Sequence, residues 1–241
     1  MQTRIIFFFS LLLAQAAPVF ADAASAPASA AREYEIRQTQ LLNDGVKLVK
    51  ERHPQEALDQ YFDKVIAAYE STYRAGAKTV YCARSAPESL LYLAQAAADK
   101  QEAMVVGPAW CDAHFLRAYA LIDLGRHAQA RAALQTAMRM APNNAHYASE
   151  CANFYRREKK WDEALVRFEA AAALARDYSP PQSRVIELGE ALRGKAFVLV
   201  ELGRLNEAET VYKQCLEINA ADKAALGELG YVQGRIKQAK F

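Results

Sequence analysis

The sequence of 241 residues is short of cysteine, glycine, proline, histidine and net charge: 4 Cys, 10 Gly, 8 Pro, 4 His and a balance of +2. Each shortage closes off a class of protein. Four cysteines with no CxxC pair among them give neither a disulfide miniprotein nor thioredoxin-like redox chemistry. The histidines, His53, His114, His127 and His146, form no HExxH or HxxxH pair, and a metal site needs three or four converging ligands. No metal and no other cofactor is expected. Gly227, Gly230 and Gly234 are unevenly spaced with no strand before them, so there is no phosphate-cradling loop, and no GxSxG elbow or kinase-like set occurs. Near-neutral charge gives no case for a nucleic-acid partner. What is abundant is alanine, at 49 positions. The best helix former at that level, beside so little of the two worst, points away from β-sandwiches and collagen-like chains.

The first 30 residues stand apart. Arg4 precedes the apolar run Ile5 to Leu13, and the small-residue patterns Ala14-Gln15-Ala16 and Val19-Phe20-Ala21 follow. That order is a secretory signal peptide, 1–21, with cleavage after Ala21. The alternative is a membrane anchor, but the run is about half of the roughly 20 residues a span needs. No cysteine precedes Cys82, which excludes a lipoprotein-type acylated terminus. Residues 22–35, beginning DAASAPASAA, read as a flexible tether, and 36–241 as one folded domain. The expectation is a periplasmic or secreted protein with no membrane insertion after cleavage.

Self-comparison organises the rest. Residues 111–144 and 145–178 align with Ala118 on Ala152, Ala130 on Ala164 and Ala137 on Ala171, and 189–222 repeats the spacing with Ala196, Ala208 and Cys215. Leu134, Phe168 and Tyr212 fill one large position, and Gly125 and Gly203 one turn position. Each copy reads as two antiparallel helices that approach closely where the small residues face each other. The small-residue spacing, glycine turn, aromatic in the second helix and closing Pro142 resemble the tetratricopeptide repeat family. The resemblance implies an all-α solenoid of helix pairs covering about 38–241. It has three clear copies, two degenerate ones at 38–71 and 77–110, and a capping helix after Asp222. In 77–110, Arg84 and Pro87 break the first helix. Ser85-x-x-Glu88 is a capping box that starts the second one near Ala86. Ten extra residues around 175–184 mean either longer helices joined at a proline turn or a surface insertion. Cys151 and Cys215 fall at core positions. In this register only Cys82 and Cys111 lie on neighbouring helices at similar height, so a bridge between them is conceivable.

Repeats of this family generally bind extended peptides or helices on the concave face formed by the first helix of each pair. Carried over by position, the resemblance implies a surface including Phe115, Tyr119, Asn153, Arg156, Arg193, Phe197 and Tyr231. Asn153 is the foremost of these, since an amide facing a groove has little packing purpose. Leu42 and Val46 stand where relatives that clamp a C-terminal carboxylate carry polar residues, which argues against such a clamp. The basic run Arg156, Arg157, Lys159, Lys160 ends a helix, where cations favour the dipole. With no catalytic set, the expected role is a non-enzymatic adaptor or scaffold binding a protein or peptide. The alternatives are an assembly factor acting through its outer surface or self-association, and an enzyme or ligand binder using Tyr81, Cys82 and Arg84 in the irregular 73–110 region.

Overall fold

A computed structural model describes residues 26–73 and 78–239. The chain runs α1 (Ala26–Lys50), α2 (Pro54–Ala57), a π-helical turn (Leu58–Phe62), α3 (Asp63–Tyr73), β1 (Thr79–Cys82), α4 (Ala86–Ala98) and β2 (Ala103–Val106). It continues with α5 (Ala109–Asp123), α6 (His127–Met140), α7 (Ala145–Arg157), α8 (Trp161–Tyr178), α9 (Pro181–Glu201), α10 (Leu205–Ile218) and α11 (Lys223–Gln238). The expected signal peptide, 1–21, and the expected tether up to Ser25 lie outside the described residues. The rest of the expected tether is not a tether: it forms the first turns of α1. Tyr34 packs edge-on against Tyr69.

From Ala109 onward the chain follows the sequence register. Helix pairs α5/α6, α7/α8 and α9/α10 pack antiparallel, with Ala118, Ala130, Ala137, Ala152, Ala164, Ala171, Ala196 and Ala208 almost wholly enclosed. A methyl group is all that fits between axes this close. At Gly194 even that is excess: a Cβ there would lie 2.2 Å from Cε1 of Phe168. Gly125 and Gly203 end α5 and α9 at φ 73° and 74°, backbone that L side chains resist. The ten extra residues lengthen α8 to 18 and α9 to 21 residues, joined through Ser179 and Pro180. α11 closes the stack against α10, its N-terminus capped by Asp222, which accepts from the amides of Ala224 and Ala225.

The core has two parts. Between α1 and α7 it is rich in large side chains, including Phe62, Tyr69, Trp110, Phe115 and Tyr147. From α7 to α11 it is mostly alanine with Phe168, Leu192, Leu199 and Tyr212. Met138 packs against both.

The expected helix pair at 77–110 is not there. Thr79-Val80-Tyr81, β-branched and aromatic, form a strand that pairs in parallel with β2, Thr79 opposite Ala103 and Cys82 opposite Val106. Parallel strands need a crossover, and α4 supplies it. The cap forms at Ser85 as read, with the return bond shifted by one residue: Ser85 Oγ accepts from the Glu88 amide at 3.3 Å. Glu88 reaches back to the Arg84 amide at 2.7 Å. Cys82 and Cys111 are bridged, but from the end of a strand to the first turn of α5 rather than from helix to helix. Cys215 is enclosed, whereas Cys151 is half-buried rather than a core residue.

Candidate functional site

The first helices α5, α7, α9 and α11 present one face in common. On it, residues recur seven apart, two turns along each helix: Asp112 and Tyr119, His146 and Asn153, Glu190 and Phe197. At the N-terminal level an ionisable pair joins each helix to the next. The Tyr147 hydroxyl donates to Asp112 at 2.5 Å, His146 Nδ1 lies 2.9 Å from Glu190, and Arg193 pairs with Asp222, the cap of α11. Burial pushes the Asp112 carboxyl up to about 6, the Tyr147 hydrogen bond opposing and the charge of Glu35 adding to the rise. At His146 burial works against the charged ring, but the hydrogen bond and charge of Glu190, with Glu150 and Glu187 behind, prevail and raise it to about 9.

The β1–α4–β2 segment lies over this N-terminal level. Arg84 reaches Glu187 at 2.8 Å, on the second turn of α9 and 103 residues away, while also pairing with Glu88. Ser179 donates to the same Glu187. Tyr92 is wholly enclosed: it stacks on Tyr81, donates to Glu88 at 3.0 Å and accepts from the Asn143 amide at 3.2 Å. The three residues considered for a pocket in this region are thus each engaged, Cys82 in the disulfide, Arg84 in ion pairs and Tyr81 in a stack.

Two turns farther on, roughly 10 Å along the helices, the face is more open. Tyr119 and Asn153 are half-buried, and the Asn153 amide has no hydrogen bond among the described residues. Arg156, half-buried, holds its guanidinium 5.0 Å from the Phe197 ring. Phe197 also leans on Trp161 at 6.5 Å. Ser149, one turn before Asn153, is 2 % exposed and its hydroxyl is unpartnered.

The expected residues therefore divide. Tyr119, Asn153, Arg156 and Phe197 fall at one level of one face. Phe115 does not join them: it is 2 % exposed and stacked on Tyr147 at 4.9 Å, so it packs repeat against repeat. Arg193 is committed to Asp222. Tyr231 is exposed on α11, its hydroxyl accepting from Arg235. Sequence reasoning missed Glu187, Ser179 and Tyr147. Their partners lie in other repeats, and only the interruption at Arg84 hinted that something non-repetitive sits there.

The folded part is an α-solenoid of stacked helix pairs. Residues 111–144 and 194–222 match two family models described as tetratricopeptide repeat. No curated protein sequence matches the chain. Among solved structures, the nearly identical TPR-like repeats of a Podosopora anserina putative kinesin light chain are 16% identical. That match covers 85% of this chain and 90% of the other with a TM-score of 0.54. The first TPR of Spaghetti (RPAP3), solved with an HSP90 peptide, is 21% identical over 53% of this chain and 95% of its own, with a TM-score of 0.46. MamA from AMB-1 is 14% identical over 86% of each chain, also at 0.46. The chain thus carries segments similar to tetratricopeptide repeats at 111–144 and 194–222.

Proposed function

We propose that this protein is an exported, non-catalytic adaptor that binds an extended segment of a protein partner across the Tyr119–Asn153–Arg156–Phe197 level of the first-helix face. The observation that carries the reading is Asn153. A half-buried amide with no partner of its own can offer a donor and an acceptor to a partner's main chain. Phe197 and Tyr119 supply apolar contact beside it, and Arg156 a cation for an acidic side chain. Two features support export. One is the signal-type order of residues 1–21. The other is the Cys82–Cys111 disulfide, a bond that persists in oxidising compartments.

Peptides selected from a random library against the wild-type chain test the site. Asn153→Ala is expected to weaken the selected binders tenfold or more, and Phe197→Ala similarly, with helicity unchanged. Binders that ignore both substitutions remove this face as the working surface.

A second reading, self-association or docking through the outer surface, is favoured by α4. Leu90 is 69 % exposed, with Leu91 and Leu93 beside it, and the one charged side chain of the helix, Glu88, is turned inward. Light scattering of the intact chain against Leu90→Glu distinguishes the two readings, since only self-association through α4 predicts a change in mass.

A further inference from the structure

On the side of α7 opposite Asn153 lies an open, shallow cavity of about 340 Å³ lined by Gln135, Met138, Arg139, Cys151, Tyr155 and Arg167. Three helices build it. α6 gives Gln135, Met138 and Arg139, α7 gives Cys151 and Tyr155, and α8 gives Arg167. Cys151 and Tyr155 stand about half a turn round α7 from Ser149, Asn153 and Arg156, so the cavity is separate from the first-helix face.

Its chemistry is one-sided, with two guanidinium groups and no carboxylate in the lining. Both arginines spend hydrogen bonds on neutral oxygens. Arg139 donates to Thr136 Oγ1 at 2.9 Å and Arg167 to the Tyr155 hydroxyl at 2.9 Å. Neither forms an ion pair among the described residues. The third nearby arginine, Arg131, pairs with Glu158, which Lys160 also holds. Arg167 is half-buried, its guanidinium carbon 4.1 Å from the centre of the Tyr155 ring. A partly desolvated cation without a counter-ion is costly, and an anion arriving there regains that cost. Met138 and the carbon atoms of Tyr155 contribute the apolar part of the lining. The volume is at the lower end of the range for small-molecule sites, roughly 300–1,000 Å³.

We propose that this cavity binds a small organic carboxylate, its carboxylate held by Arg139 and Arg167 and its apolar body lying against Met138 and Tyr155. A planar carboxylate suits the guanidinium fork better than a hydrated inorganic ion does, and the apolar wall selects a ligand with a carbon body.

Cys151 is a reporter in the wall. Cys82 and Cys111 are bridged and Cys215 is 1 % exposed, so thiol labelling of the intact chain reads Cys151, and Cys151→Ser removes the fast phase. Two disulfide reagents are compared, the dianionic dithiobis-nitrobenzoate and the uncharged dithiodipyridine. In both cases the Cys151 thiolate attacks the reagent disulfide and expels an aromatic thiolate or thione, so the ratio of the two rates isolates the anion site. Benzoate is expected to protect Cys151 from both. In Arg139→Gln/Arg167→Gln, the ratio of anionic to neutral rates is expected to fall roughly fivefold or more, about one unit charge at contact in water, and benzoate protection to disappear. Arg139 is exposed and its side chain donates to Thr136, so Arg139→Gln alone retains the fold if the double variant does not. It must also lower the ratio. A ratio unchanged in Arg139→Gln, or wild-type labelling indifferent to benzoate, overturns the proposal.

Discussion

Residues 77–110 and 111–144 occupy consecutive 34-residue phases of one chain, yet the second folds as a helix pair and the first as two strands around a helix. In 111–144 the contacts that make the helix pair are local and repeat: Ala118, Ala130 and Ala137 bring α5 and α6 together, and Gly125 turns between them. In 77–110 the contacts are distant and occur once, with Cys82 on Cys111, Arg84 on Glu187 and Tyr92 on Asn143. A repeat gains its stability from its neighbours, so a segment whose pattern is broken can still be ordered if enough of those neighbours hold it. Here that segment lies over one end of the face its neighbours form.

The comparison can be broken from either side. Phe168 is wholly enclosed in the regular half, and Phe168→Ala should cost about 4 kcal/mol. The loss should appear in denaturant unfolding followed by circular dichroism and should spread through α7 to α11. Replacing Cys82 and Cys111 by serine removes a cross-link between residues 29 apart and should cost about 3 kcal/mol. Its signature should differ, with faster hydrogen exchange and proteolysis confined to 79–106. Exchange rising equally in α9 and α10 would show that the segment is not the separable part described above.

The pairs between first helices give a prediction in pH. The folded value of His146, about 9, is raised above an unfolded value near 6.5. Its contribution is therefore complete below about pH 6.5 and lost as pH rises through about 9, up to about 3 kcal/mol. Asp112 is also raised, to about 6, so its contribution has the same sign and is lost at lower pH, between about 4 and 6. Unfolding midpoints should fall between pH 6.5 and 9 in the wild type and stay nearly flat over that interval in His146→Gln. Gly203→Ala forces a side chain into left-handed backbone at φ 74° and should cost about 1 kcal/mol, read from the denaturation midpoint. Asn153→Ala should change stability least, by under about 0.5 kcal/mol, while weakening selected peptide binding roughly tenfold or more. A large stability loss there would make Asn153 a packing residue.

Much of the regular half was legible because it rests on periodicity. Pro142 and the glycine turns punctuate it, whereas the ten extra residues read equally as lengthened helices or as a surface insertion, and the structure has the lengthened helices. The site was legible only in part. Tyr119, Asn153, Arg156 and Phe197 could be placed on one face by spacing. Spacing could not tell that Phe115 would be roofed by Tyr147, or that Arg193 would be taken by Asp222, because burial depends on what a neighbouring helix brings. Residues 26–35 looked like a tether because their composition offers little to bury, but Tyr34 and Glu35 find partners in α3 and α5. Glu35 accepts from Tyr69 and from the Ala109 amide.

The sequence by itself determined the helix pairs and their stacking, since a methyl-sized residue at fixed intervals is a local instruction that every copy repeats. Only the tertiary structure decided where that stack is covered and where it is open. That depends on single contacts across as many as 103 residues, and a pairing made once leaves no period in the sequence to be read.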